Sequence, residues 1–109
     1  MKTLEINANA NYTSDWIFKD AYSSTFTKSS VQIKWHGITG TANGTIKVEM
    51  KTDRNADLTT VLDTVNVNSA SNASDNMLLS VNYAIKAYRI TYTKNDITAG
   101  DIIIKIDAE

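Results

Sequence analysis

Four stretches of this chain alternate between apolar and polar side chains, and that alternation constrains the fold more than any other feature. They are Val31-Gln32-Ile33-Lys34-Trp35-His36, Thr45-Ile46-Lys47-Val48-Glu49-Met50-Lys51, Tyr88-Arg89-Ile90-Thr91-Tyr92-Thr93 and Ile102-Ile103-Ile104-Lys105-Ile106-Asp107. A strand turns successive side chains to opposite faces, so period two sets one side of each stretch on a core and the other in water. The β-branched and aromatic residues that fill these stretches suit a pleated, half-buried surface. The pattern predicts that Val31, Ile33, Trp35, Ile46, Val48, Met50, Tyr88, Ile90, Ile102, Ile104 and Ile106 face inward. Gln32, Lys34, Lys47, Glu49, Arg89 and Lys105 are expected to face out.

The connections read as hairpins. Between Ile38 and Ile46, the pair Asn43-Gly44 offers the positive φ angles of a tight turn. A longer loop is expected between Tyr92 and Ile102. Weaker strands run from Leu58 to Val67 and from Met77 to Asn82, separated by a polar, small-residue loop from Asn68 to Asn76. In the first thirty residues alternation is weakest; Leu4 and Ile6 fit a short edge strand. The rest of that segment is aromatic-rich and reads as extended, packing along the sheets or reaching a neighbour. Short strands at this density in 109 residues predict a single all-β domain over 1–109, an antiparallel β-sandwich of jelly-roll or immunoglobulin-like topology, with little or no helix.

Composition narrows the function classes. A chain of this length buries roughly 65% of the surface its unfolded form exposes, enough for one modest core. The net charge of −1 provides no electrostatic footprint for nucleic acid or an anionic membrane, so neither is an expected partner. With no cysteine there is no disulfide framework and no thiolate chemistry. No apolar run is long enough for a signal peptide or a membrane helix, so synthesis in a cytoplasm is expected.

Candidate chemistry is sparse. Asp53, Asn55 and Asp57 match the opening ligand positions of a calcium loop, but Leu58 stands where that loop needs glycine and Thr64 where it needs a bidentate glutamate. They read instead as a knot whose side chains cap its own backbone, with no metal expected. His36 is the sole histidine and cannot build a transition-metal site alone. No nucleophile-elbow pattern surrounds any serine, so no catalytic residue is assigned and no enzyme is expected. Among the aromatic residues, Trp35, Tyr88 and Tyr92 share faces with apolar neighbours and read as core. Tyr12, Trp16, Phe18, Tyr22 and Phe26 lie where alternation fails and are the candidate docking aromatics, since such rings are enriched at interfaces.

From Ser30 onward the order of features resembles a small β-sandwich module that recurs among structural proteins of tailed-bacteriophage virions. Gly44-Thr45-Ile46 with Thr52-Asp53-Arg54-Asn55, Tyr88-Arg89-Ile90-Thr91-Tyr92, and Ala99-Gly100-Asp101-Ile102 carry the resemblance. The knot departs from the module's Ser-Asn-Asp form, and the first thirty residues match none of it. The resemblance implies a non-enzymatic virion protein without cofactors. The role it favours is that of a capsid decoration or auxiliary capsid protein like those of crAss-like phages, made in the bacterial host cytoplasm and located in the virion. Its implied partners are the major capsid protein, other virion proteins or copies of itself; residues 1–30, where alternation is weakest and the resemblance stops, are the expected docking segment. The alternatives are a tail, baseplate or head-fibre subunit, and a carbohydrate-binding module with carbohydrate as partner.

Overall fold

In the computed structural model, the described residues are 2–18, 26–40, 44–51, 59–67 and 74–108, the side chains of 26–29, 74–85 and 108 excepted. The alternating stretches form β4 (Phe26–Gly40), β5 (Gly44–Lys51), β8 (Ala87–Thr93) and β9 (Ile97–Ala108). Around them lie β1 (Lys2–Asn7), β2 (Tyr12–Thr13), β3 (Ile17–Phe18), β6 (Thr60–Val67) and β7 (Ser74–Ile85). The described residues include no helix. Two antiparallel sheets face one another: a first in the order β1-β9-β4-β7, and a second in the order β2-β8-β5-β6 with β3 also on β8. This is a jelly-roll sandwich, which closes the choice left open with an immunoglobulin-like order.

The same order corrects two connections. β4 and β5 belong to opposite sheets, as do β8 and β9, so neither pair is a hairpin and both connections bridge the sandwich. Alternation registers which face of a strand is apolar, and an inward face looks the same whichever sheet the next strand joins. Gly44 does not supply a positive φ; that conformation falls at Gly40, whose φ is 93°. Gly44 is needed for space instead, since a Cβ there would meet Ile97 Cδ1 at 2.7 Å and Tyr92 Cε1 at 3.1 Å. The loop before Ile102 is shorter than expected. A turn through Asn95 (φ 48°), closed by Ile97 N–H donating to Lys94 C=O, starts β9 at Ile97. Likewise Ser74–Asn76, expected in a loop, already belong to β7.

All eleven residues expected inward are at most 5% exposed, so the register of the four long strands is as the alternation dictates. Residues from the amino-terminal segment share this core: Leu4, Ile6 and Ala8 are buried, and Tyr12 and Ile17 pack against them. Tyr92 donates its hydroxyl to Ala8 C=O at 2.7 Å, and Lys94 N–H donates to Asn11 Oδ1 at 2.9 Å. These bonds pin the β1–β2 connection onto the β8–β9 turn. On the outer faces Gln32, Lys34, Lys47 and Lys105 are exposed as expected. Glu49 and Arg89 are not, and the reason lies in what covers them.

Candidate functional site

The edge of the second sheet beside β8 is built from two short pieces with an extra residue between them. Thr13 pairs with Thr91 and Ile17 with Tyr88, so Ser14, Asp15 and Trp16 stand against Arg89 and Ile90 alone. Such a bulge inverts the facing of everything beyond it. Ile17 is thereby set inward beside Tyr88, and Trp16 and Phe18 are carried to the outer face. Ser14 heals the break. Its N–H donates to Ile90 C=O at 2.9 Å, its hydroxyl accepts Ile90 N–H at 2.9 Å, and the same hydroxyl donates to Asp15 C=O at 2.9 Å. One side chain thus replaces the ladder bond that the bulge removes.

The inverted register lays Trp16 across two cations that rise from neighbouring strands. Lys51 Nζ on β5 and Arg89 Cζ on β8 each lie 4.6 Å from the Trp16 ring centroid, and Lys51 Nζ lies 5.5 Å from that of Phe18. Both distances to Trp16 are within the range at which a ring's quadrupole attracts a cation. Beneath the ring, Arg89 Nη2 donates to Glu49 Oε2 at 2.7 Å and Thr91 Oγ1 donates to Glu49 Oε1 at 2.6 Å. Burial pushes the Glu49 carboxyl up. The hydrogen bonds from Thr91 and Arg89, with the charges of Arg89 and Lys47, outweigh it and hold the group below its ordinary value. Because Oε1 is turned to Thr91, the guanidinium is bonded to the carboxylate through one nitrogen only. Arg89 Nε is left buried and without an acceptor among the described residues.

The surrounding surface is polar and hydroxyl-rich. Thr13, Thr91 and Lys47 lie in one cross-strand row that continues to Thr64 on β6, and Thr93, Thr45 and Asn66 form the next. Trp16 and Phe18 also line a groove of about 400 Å³ together with Lys2, Leu4, Tyr12 and Ile17. A wider depression of about 650 Å³ runs along β1 and β9 past Glu5, Asn7, Asp101 and Ile103, on the other sheet and without an aromatic ring.

The candidate docking aromatics therefore separate. Trp16 and Phe18 come together on the outer face, while Tyr12 pairs with Tyr92 and packs against the core. Phe26 starts β4, its side chain outside the described residues, and Tyr22 lies outside them altogether, as do Asp53, Asn55 and Asp57. His36 pairs with Asp101 on the outer face of the first sheet. Among the described residues no three histidine, cysteine or acidic side chains gather as a metal site. Sequence reasoning passed over Glu49, Lys51, Arg89, Thr91 and Ser14. Glu49 and Arg89 each fit the polar side of an alternating strand, and only the register that sets one opposite the other shows a site.

No protein-family model matches this sequence, and neither does any curated protein. Among solved structures, the crystal structure of PirA superposes with a TM-score of 0.61 at 18% identity, over 97% of this chain and 92% of that one. A mutant of the family 29 carbohydrate-binding module CBM29-2 gives 0.47 at 12% identity, over 99% of this chain and 87% of that one. Another family 29 carbohydrate-binding module gives 0.47 at 12% identity, over 99% and 90%. The likeness to PirA speaks to the fold, and that to the family 29 modules is too remote to carry an argument. What the likeness to PirA has in common with the sequence resemblance is the fold, a small β-sandwich.

Proposed function

We propose that this protein is a non-catalytic binding module that takes a carbohydrate on the outer face of its second sheet. The observation that carries the reading is the outward Trp16, placed by the bulge beside the Glu49–Arg89–Thr91 array and at the mouth of a groove. A pyranose presents an apolar C–H face and a rim of hydroxyls. It calls for an aromatic surface next to fixed donors and acceptors, which is what Trp16 and the Glu49–Arg89–Thr91 array place side by side. The array is already hydrogen-bonded before any ligand arrives, which lowers the entropy cost of binding. Titration against a panel of neutral and charged oligosaccharides tests the reading. Binding is expected, and Trp16→Ala is expected to weaken it by about tenfold or more, the scale of one lost aromatic contact. A folded protein that binds no member of a broad panel overturns it.

A second reading is the virion structural protein, a capsid decoration or a tail, baseplate or head-fibre subunit. What supports it is the sequence resemblance, of whose motifs Gly44-Thr45-Ile46 and Tyr88-Arg89-Ile90-Thr91-Tyr92 lie on the paired strands β5 and β8, while 52–55 fall outside the described residues. In this reading Trp16 and Phe18 are the part of the amino-terminal segment that meets the neighbouring protein, and the location is the virion. Co-sedimentation of the purified protein with phage heads lacking it is the direct test, and no association with heads or tails overturns it.

A further inference from the structure

Among the described residues, the site carries more positive charge than its carboxylates neutralise. Around Trp16 and its groove the described residues place Lys2, Lys47, Lys51 and Arg89 against Glu49 and Asp15. Glu49 is committed, with one oxygen on Arg89 and the other on Thr91. Lys51 is only 8% exposed, and its ammonium lies over the faces of Trp16 and Phe18 with no carboxylate in salt-bridge contact among the described residues. Ring faces offset part of the cost of drawing an ammonium out of water, but far less than an anion would. A second, independent sign is the buried Arg89 Nε, which has no acceptor among the described residues. Native structures leave few such groups, and those they keep call for an explanation. Lys51 and the guanidinium that carries this unsatisfied nitrogen flank one ring, Lys51 Nζ and Arg89 Cζ each 4.6 Å from its centroid.

From these observations we infer that the carbohydrate is an acidic one, a sugar whose carboxylate or sulfate lies against Lys51 and the Arg89 guanidinium while its ring packs beside Trp16. The inference rests on the carbohydrate reading and sharpens it. An anionic substituent would supply the counter-charge that Lys51 lacks among the described residues, and a guanidinium suits a planar carboxylate or a sulfate edge. Glu49 is then a positioning residue. By holding Nη2 it fixes the plane of the guanidinium, and Thr91 keeps Oε1 from claiming Nε as well.

Calorimetric titration with matched pairs tests this: oligogalacturonate against its methyl ester, sialyllactose against lactose, and heparin against desulfated heparin, with single-stranded DNA alongside. At least one acidic member is expected to bind about tenfold or more tightly than its neutral counterpart. Lys51→Met, which keeps the packing against Trp16 and Phe18, is expected to erase that preference, whereas Lys51→Arg retains it. Should Lys51→Met fail to fold, the wild type alone decides. Raising salt from about 50 mM to about 300 mM is expected to weaken the acidic sugar several-fold and leave a neutral one unchanged. Equal binding of charged and neutral partners overturns the acidic assignment and leaves the carbohydrate reading standing. Absence of binding to every sugar overturns both. DNA bound as tightly as the best sugar marks a general polyanion surface, and the acidic-sugar assignment fails.

Discussion

Ser14→Ala isolates the device that turns Trp16 outward. Ser14 is 6% exposed, and its hydroxyl is the acceptor for Ile90 N–H at 2.9 Å in a buried setting. Alanine keeps the backbone bond from Ser14 N–H to Ile90 C=O but leaves the Ile90 amide without a partner. Burying an unsatisfied amide costs about 1–3 kcal/mol. The bond to Asp15 C=O is part-buried and adds little, and a single missing oxygen leaves no cavity worth counting. A loss of about 2 kcal/mol is therefore expected, which lowers the melting temperature of a domain this size by roughly 8–16 °C. Urea unfolding followed by circular dichroism gives the number, with an unchanged m-value showing that the unfolded state is not the cause. Thr13→Ala, exposed on the same short strand, serves as the control and is expected to stay within about 0.5 kcal/mol of wild type. A Ser14→Ala loss no larger than the control's would refute the reasoning, because Ile90 N–H would then have another acceptor.

Two further perturbations read the same sheet. The lowered Glu49 carboxyl binds its proton less tightly folded than unfolded, so its stabilisation is present above the ordinary value of 4.5 and is lost as pH falls through the lower folded value. Melting temperature measured downward from pH ~6 is expected to fall below pH ~4.5 in the wild type, and Glu49→Gln, less stable at neutral pH, is expected to show a shallower fall. Tyr92 behaves oppositely: burial raises its phenol above 10.0, so the stability it confers is held below that value and lost as pH climbs through the raised one. Tyr92→Phe is expected to cost about 1–2 kcal/mol at neutral pH, through the lost bond to Ala8 C=O, and to flatten the alkaline limb of the stability curve.

The core was legible because a two-residue period survives any number of errors about neighbours. Val31, Ile33, Ile46, Val48, Ile90 and Ile104 are each buried wherever their strands sit in the sandwich. The topology was not legible, since nothing in Gly40 to Gly44 distinguishes a turn back within one sheet from a step across to the other. The site was half legible. Trp16 and Phe18 stood out as aromatics off the pattern, but the extra residue that aims them is invisible in two strands only two residues long. Glu49 and Arg89 are 40 residues apart, and each looks like an ordinary polar position until the register joins them. Both face outward as the alternation dictates, but Trp16 lies over Arg89, and Arg89 and Thr91 close on Glu49, so these two are not exposed while Lys47 and Lys105 are.

The place of β9 in the first sheet has a consequence for how the chain is made. β9 lies between β1 and β4, pairing Ile104 with Leu4 on one side and with Ile33 on the other. A nascent chain emerging in order carries β1 and β4 with an unfilled slot between them until residues 97–108 leave the ribosome. β4 can pair earlier with β7, through Val31 and Met77, but its other edge, with Ile33 opposite Ile104 and Trp35 opposite Ile102, waits for a partner more than sixty residues downstream. The first sheet is therefore complete only once β9 is available, and until then the open edges of β1 and β4 invite pairing with another copy. Rapid completion of β9 is what shortens its vulnerable period.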